Sequence, residues 1–221
     1  RRIRDELAVN YETPVNDKRI LRICRKIGVQ SSIKRKPKSC TKADRNPAHI
    51  AKNFLHREFH ADKPNEKWLT DVMEFKYDAR EEMHKLYLSA ILDLCDRRIV
   101  SYKISDHNDN ALVMDPFDQA VKIGPDAHLL FHSDQGFQYT SQAFYHRLKK
   151  HHMKQSMSRV AHCIDNGPME GFWGILKREM YYGKHFTSRE ELIQSIQDYI
   201  EYYNNRRLQR KLHIMTPMAF H

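Results

Sequence analysis

No stretch of the 221-residue chain approaches the ~18 consecutive apolar residues that cross a bilayer. Arg1 opens it with neither an initiator Met nor an apolar leader, so neither a membrane-spanning nor a signal-led protein is expected. Glycine and proline are scarce, at 7 and 8 residues, which excludes a collagen-like or low-complexity chain. The four cysteines, Cys24, Cys40, Cys95 and Cys163, form no CxxC pair and no crowded framework; reduced thiols in a cytoplasmic setting follow. His107, His132, His146, His151, His152 and His162 lack metal-ligand spacing, so no structural zinc is expected and a surface or nucleic-acid-facing role is assigned to them. What remains is 40% hydrophobic, enough for one packed core with an appendage.

Acidic residues are sparse at the N-terminus. Residues 1–45 carry 14 Lys or Arg against 5 Asp or Glu, a net +9, which leaves +1 of the total +10 for the other 176 residues. A block such as Lys34-Arg35-Lys36 neutralises phosphates without reading sequence, and a solvated tail is the plain alternative.

The pattern divides the chain unequally. Residues 1–45 read as a basic helical segment resembling a helix-turn-helix remnant. Residues 1–8 would end one helix, and a second, capped by Asn16 or Asp17, would run to Ile27 before Gly28. Residues 46–67 read as a connector with a short helix over Ile50 to Phe59. Residues 68–221 form the core. There, Trp68 to Phe75, Leu86 to Leu94 and Ile99 to Ile104 predict an antiparallel meander. A helix from Asn110 to Lys122, a strand over Leu129 to His132, a helix from Ser141 to His151 and a strand around Gln155 to Ser158 follow. Helices over Pro168 to Met180 and Ser188 to Tyr203 close the chain. The fold class is mixed α/β.

Three carboxylates stand out by position. Asp71 lies inside the first strand, where an uncompensated charge is costly. Asp134 follows a strand end, where open sheets present functional groups. Glu170 lies in the first turn of a helix behind Asp165-Asn166-Gly167-Pro168, where the dipole favours its anion. Three such groups suit one or two hard cations and phosphoryl transfer, whereas a cap, a surface glutamate and a locally paired aspartate are the plain reading. Asp93, Asp96 and Glu179 compete and are left outside the set.

The segments Trp68-Leu69-Thr70-Asp71, His132-Ser133-Asp134-Gln135-Gly136-Phe137-Gln138-Tyr139-Thr140-Ser141 and Asp165-Asn166-Gly167-Pro168-Met169-Glu170-Gly171-Phe172-Trp173 resemble the signature blocks of bacterial insertion-sequence transposases with a retroviral-integrase-like core. The 35 residues between Asp134 and Glu170 match that family's acidic spacing, and Tyr203-Asn204-Asn205-Arg206-Arg207 resembles its C-terminal signature. The resemblance implies an RNase H-like fold and a catalytic, metal-binding triad of Asp71, Asp134 and Glu170. It further implies Mg²⁺ or Mn²⁺, with two ions when DNA is bound. The implied reaction is cleavage at element ends followed by strand transfer from a liberated 3′-OH. The implied partners are double-stranded element-end and target DNA, with the protein a homo-oligomer on DNA in the bacterial nucleoid.

Gly171 and Gly167 depart from the family, standing where Ser and Ala are common; either the turn is loose or it admits DNA closely. Gln135, Gln138, Tyr139, Lys177 and Arg207 join Lys34, Arg35 and Lys36 as candidate DNA contacts, with loop surface or a local ion pair as alternatives. Trp173 either borders the site or anchors its helix. A metal-dependent nuclease without strand transfer and a non-enzymatic DNA-binding protein are the competing functions.

Overall fold

A computed structural model describes residues 2–30, 49–80, 82–123, 128–159 and 163–221. Its five-stranded sheet comprises β1 (Lys67–Ala79), β2 (Glu82–Asp93), β3 (Ile99–Ser105), β4 (Leu130–Ser133) and β5 (Lys154–Met157) in the order β3-β2-β1-β4-β5. The first three form the expected antiparallel meander, and β4 and β5 run parallel to β1. β1 and β2 are longer than the hydrophobic pattern predicts, pairing in register from Ala79↔Glu82 to Trp68↔Asp93. Between Ala79 and Glu82, Arg80 takes a left-handed φ of 54°.

The described helices are α1 (Arg2–Asn10), α2 (Asp17–Lys26), α3 (Asn110–Val121), α4 (Gln142–Lys150), α5 (Gly167–Leu176), α6 (Arg189–Asn205) and the short α7 (Pro217–Phe220). Asn16, Asp109, Ser141 and Ser188 cap α2, α3, α4 and α6, each side chain accepting a backbone N–H three residues on. α5 continues into a wider π-type turn, Lys177–Tyr181, so the sequence's single long helix changes winding midway.

Side-chain alternation along β1 splits the core into two layers. Leu69 and Phe75 face one apolar cluster with Phe172, Trp173, Leu176, Leu192, Ile196 and Tyr203 from α5 and α6. Trp68 faces the other, with Val113, Phe117, Phe131, Phe144 and Leu148 from α3, α4 and β4. Helices therefore cover both faces, and Asp71, two residues beyond Leu69, falls on the α5 side.

One expectation needs correction. Residues 50–59 are not helical, because the backbone N–H groups of Phe54 and Leu55 donate to Ser156 Oγ at 2.9 and 3.2 Å, stitching the segment to β5. His56 and Arg57 then take left-handed φ values, which an α-helix cannot hold. Of the apolar residues of α2, Ile20, Leu21, Ile23 and Cys24, only Ile20 is buried. The N-terminal helices do not hang free: Asp5, buried, bonds Arg210 at 3.0 and 3.1 Å, and Arg2 reaches Glu179 at 2.7 Å.

Candidate active site

β1 and β4 pair in parallel with Leu69 opposite His132. Asp71 and Asp134 each lie two residues further along, so they leave matching positions of adjacent strands at the carboxyl end of β4. That is where open sheets assemble their sites. Asp71 Oδ1 accepts the Val72 N–H at 2.8 Å and Oδ2 accepts the indole N–H of Trp173 at 3.0 Å. Asp134 Oδ1 accepts the Gly136 N–H at 2.9 Å. A Cβ at Gly136 would stand 3.0 Å from Asp134 Oδ1 and 3.2 Å from Gln138 Oε1, so these side chains would have to shift to admit it.

Burial pushes the Asp71 carboxyl well above the ordinary aspartate range, and the charges of Asp134 and then Glu170 add to it. Burial raises Asp134 as well. Glu170 is exposed on the first turn of α5. Among the described residues no three His, Cys, Asp or Glu side chains stand close enough to form a ready-made metal cluster. The donor set nevertheless fits a hard cation. It is all carboxylate, and Asp71, raised first by burial and then by the charges of Asp134 and Glu170, is a group that a cation would favour as its anion.

The rival carboxylates are occupied elsewhere. Asp93 accepts Cys95 N and Asn65 N at 2.7 and 2.6 Å and the Trp68 indole at 3.1 Å, locking the β2–β3 turn. Asp96 pairs with Arg98 and His221, and Glu179 with Arg207 and Arg2. Asp165, fully buried, bonds Arg159 and Arg57, whose hydrogen bonds hold it well below the usual range despite burial.

The candidate DNA contacts separate. Tyr139 is a core residue, not a DNA-facing one: it is 1% exposed and its hydroxyl meets Thr70 Oγ1 at 3.1 Å. Gln138 is likewise buried, its amide donating to Asn108 Oδ1. Arg207 is engaged in its ion pair with Glu179, the local alternative to a phosphate contact. Gln135 is half-buried and donates to the Ser158 carbonyl at 2.9 Å. Lys177 is half-buried above the Phe75 ring; burial lowers its ammonium pKa, opposed by Glu74 and Glu170. Lys34, Arg35 and Lys36 lie outside the described residues. His132 also departs from its expected surface role: wholly buried, it bridges Ser156 and Ser158 hydroxyls at 2.9 and 3.0 Å, and burial pushes it down to about 4. Sequence reasoning gives Asn166 no role of its own, yet its amide donates to the Thr70 carbonyl at 3.1 Å, next to Asp71. Its spacing of four from Glu170 is the signal that places it there.

Two integrase core domain models match the chain, over residues 61–163 and 170–221. A protein named as a transposase for insertion sequence element IS150 of Escherichia coli K12 is 39% identical over 207 residues, covering 93% of this chain and 71% of its own. A transposase-like protein of Haemophilus influenzae is 38% identical over 206 residues, covering 93% of each chain. The chain belongs to the insertion-sequence transposases. The solved HTLV-2 integrase catalytic core superposes with a TM-score of 0.56 at 19% identity, over 73% of this transposase and 99% of that core. That likeness identifies the mixed sheet between its helical layers as the RNase H-like fold. No described helix of the transposase is long and apolar enough to cross a membrane.

Proposed function

We propose that this transposase cleaves one strand at each end of an insertion element and joins the freed end to target DNA. Asp71, Asp134 and Glu170 are its metal ligands. The observation that carries the reading is the placement of buried Asp71 on β1 beside half-buried Asp134, which directly follows the paired strand β4, with the charge of Glu170 among the causes that raise Asp71. In the cleavage step a water oxygen bonds to the scissile phosphorus, the P–O3′ bond breaks, and the departing 3′ oxygen takes a proton. In the joining step that 3′-OH bonds to a target phosphorus while the target's own P–O3′ bond breaks, so the number of phosphodiester bonds is conserved. Mg²⁺ or Mn²⁺, two ions with DNA bound, would supply Lewis-acid stabilisation of the attacking and leaving oxygens. The HTLV-2 core was solved with magnesium in trimeric and dimeric forms, which supports magnesium and a homo-oligomer here.

The chain's own groups fix the ligands. The Val72 N–H and the Trp173 indole set the Asp71 carboxylate plane, and the Gly136 N–H sets that of Asp134. Gln135 and Lys177, on the loop and helix that carry Asp134 and Glu170, are the retained DNA-contact candidates. The basic segment 1–45, with Lys34, Arg35 and Lys36, holds duplex DNA through phosphates in a salt-dependent way. Incubation with labelled element-end DNA and Mg²⁺ tests the reading. Strand-transfer products are expected; hydrolysis alone would indicate a nuclease, and binding without chemistry a non-enzymatic protein.

A further inference from the structure

Two side chains on either side of Glu170 in sequence, Asn166 at the N-cap of α5 and Trp173 within α5, both reach β1. Asn166 precedes Glu170 by four residues, and Trp173 follows it by three, about one helical turn along α5. The outer two make the bonds: Asn166 Nδ2 donates to the Thr70 carbonyl at 3.1 Å, and Trp173 Nε1 donates to Asp71 Oδ2 at 3.0 Å. Thr70 and Asp71 are consecutive, so the two bonds grip β1 at the residue that carries the first ligand. Both side chains are buried, Asn166 at 4% and Trp173 at 1% exposure, so neither bond competes with bulk water. Phe172 and Leu176 of the same helix supply the apolar anchorage, which leaves the indole N–H for a more specific task.

We infer that Trp173 and Asn166 are positioning residues of the metal centre. Trp173 fixes the rotamer of Asp71, and together they set the approach of Glu170 to it. With Oδ1 on the Val72 N–H and Oδ2 on the indole, the Asp71 carboxylate cannot rotate, and each oxygen keeps a lone pair for a cation. Outer partners of this kind orient ligands, and their loss typically weakens metal binding about 10- to 100-fold.

The inference rests on the metal-ligand reading above, and one set of titrations separates the two. Mn²⁺ binding to the whole chain without DNA is followed by electron paramagnetic resonance for wild type, Asp71→Asn, Trp173→Phe and a chain with benzothienylalanine at 173. The last keeps the indole's shape and lacks its N–H. Wild type is expected to bind and Asp71→Asn to lose binding. The benzothienyl chain should bind about 10- to 100-fold more weakly with an unchanged melting temperature. Trp173→Phe should follow it, and its melting temperature shows any added cost of the lost ring. If the benzothienyl chain binds Mn²⁺ as wild type does while Asp71→Asn does not, positioning by Trp173 is overturned and the ligand assignment stands. If wild type and Asp71→Asn bind alike, both are overturned.

Discussion

Replacing Arg207 with Ala separates a structural arginine from a phosphate-binding one. Its side chain and that of Glu179 are 11% and 10% exposed and share two bonds, 3.1 and 3.0 Å long. The Tyr199 hydroxyl adds a third bond to Glu179 at 3.1 Å. Removing one partner of a buried pair costs about 3–5 kcal/mol, because the other charge is left without compensation. Arg2 still reaches Glu179 from the surface, so the lower end, about 3 kcal/mol, applies. For a chain of this size that lowers the melting temperature by about 6–12 °C. Burial raises the Glu179 carboxyl, but the bonds and charge of Arg207, with Arg2 and Tyr199, outweigh it and hold the group below its ordinary value. A depressed folded pKa contributes stability that is complete above the unfolded value of about 4.3 and is lost as pH falls through the folded one. The gap between variant and wild type, read by circular dichroism melts, is therefore widest at neutral pH and narrows below about pH 4. Replacing both Glu179 and Arg207 with Met should recover much of the loss. A melting temperature within about 2 °C of wild type, together with a DNA-binding salt slope reduced by about one, would refute this and return Arg207 to the phosphate contacts.

Gly171 is exposed inside α5, and a Cβ there meets nothing within 4 Å. Gly171→Ala should raise stability by about 1 kcal/mol, seen as a higher melting temperature; loss of strand transfer in that stabler protein would show instead that DNA comes close there. Gly136→Ala should lower strand transfer in gel assays with the fold kept by far-ultraviolet circular dichroism, because the new methyl presses on Asp134 Oδ1; wild-type activity would contradict the turn's role. Asp165→Asn should lower the melting temperature at pH 7, with the deficit fading in acid. Asp165 is held low by Arg159 and Arg57, so its contribution is present above about pH 4 and lost as pH falls through the lower folded value.

The meander, both later strands and the paired helices are legible in the sequence because alternation, caps and turn residues are local signals. Asn16, Asp109, Ser141 and Ser188 mark helix starts within a residue. The misreadings arise where tertiary contacts decide. Residues 50–59 carry helix-like spacing, but the Ser156 hydroxyl, more than 100 positions away, takes their N–H groups. Gln138 and Tyr139 sit in a polar run that reads as exposed loop. Tyr139 is drawn under the sheet to Thr70 and Phe144, contacts no spacing announces. Asp71 was marked by a charge inside an apolar strand, whereas the Trp173 bond that holds it spans 102 positions and becomes visible only when α5 docks.

The central claim, that three carboxylates act as one centre, is tested most directly by a strand-transfer assay on Asp71→Asn, Asp134→Asn and Glu170→Gln with element-end DNA and Mg²⁺. All three variants are expected to lose cleavage and joining to background while binding the same DNA nearly as wild type does. Retention of either chemical step by any one of them, Glu170→Gln above all, would contradict the account.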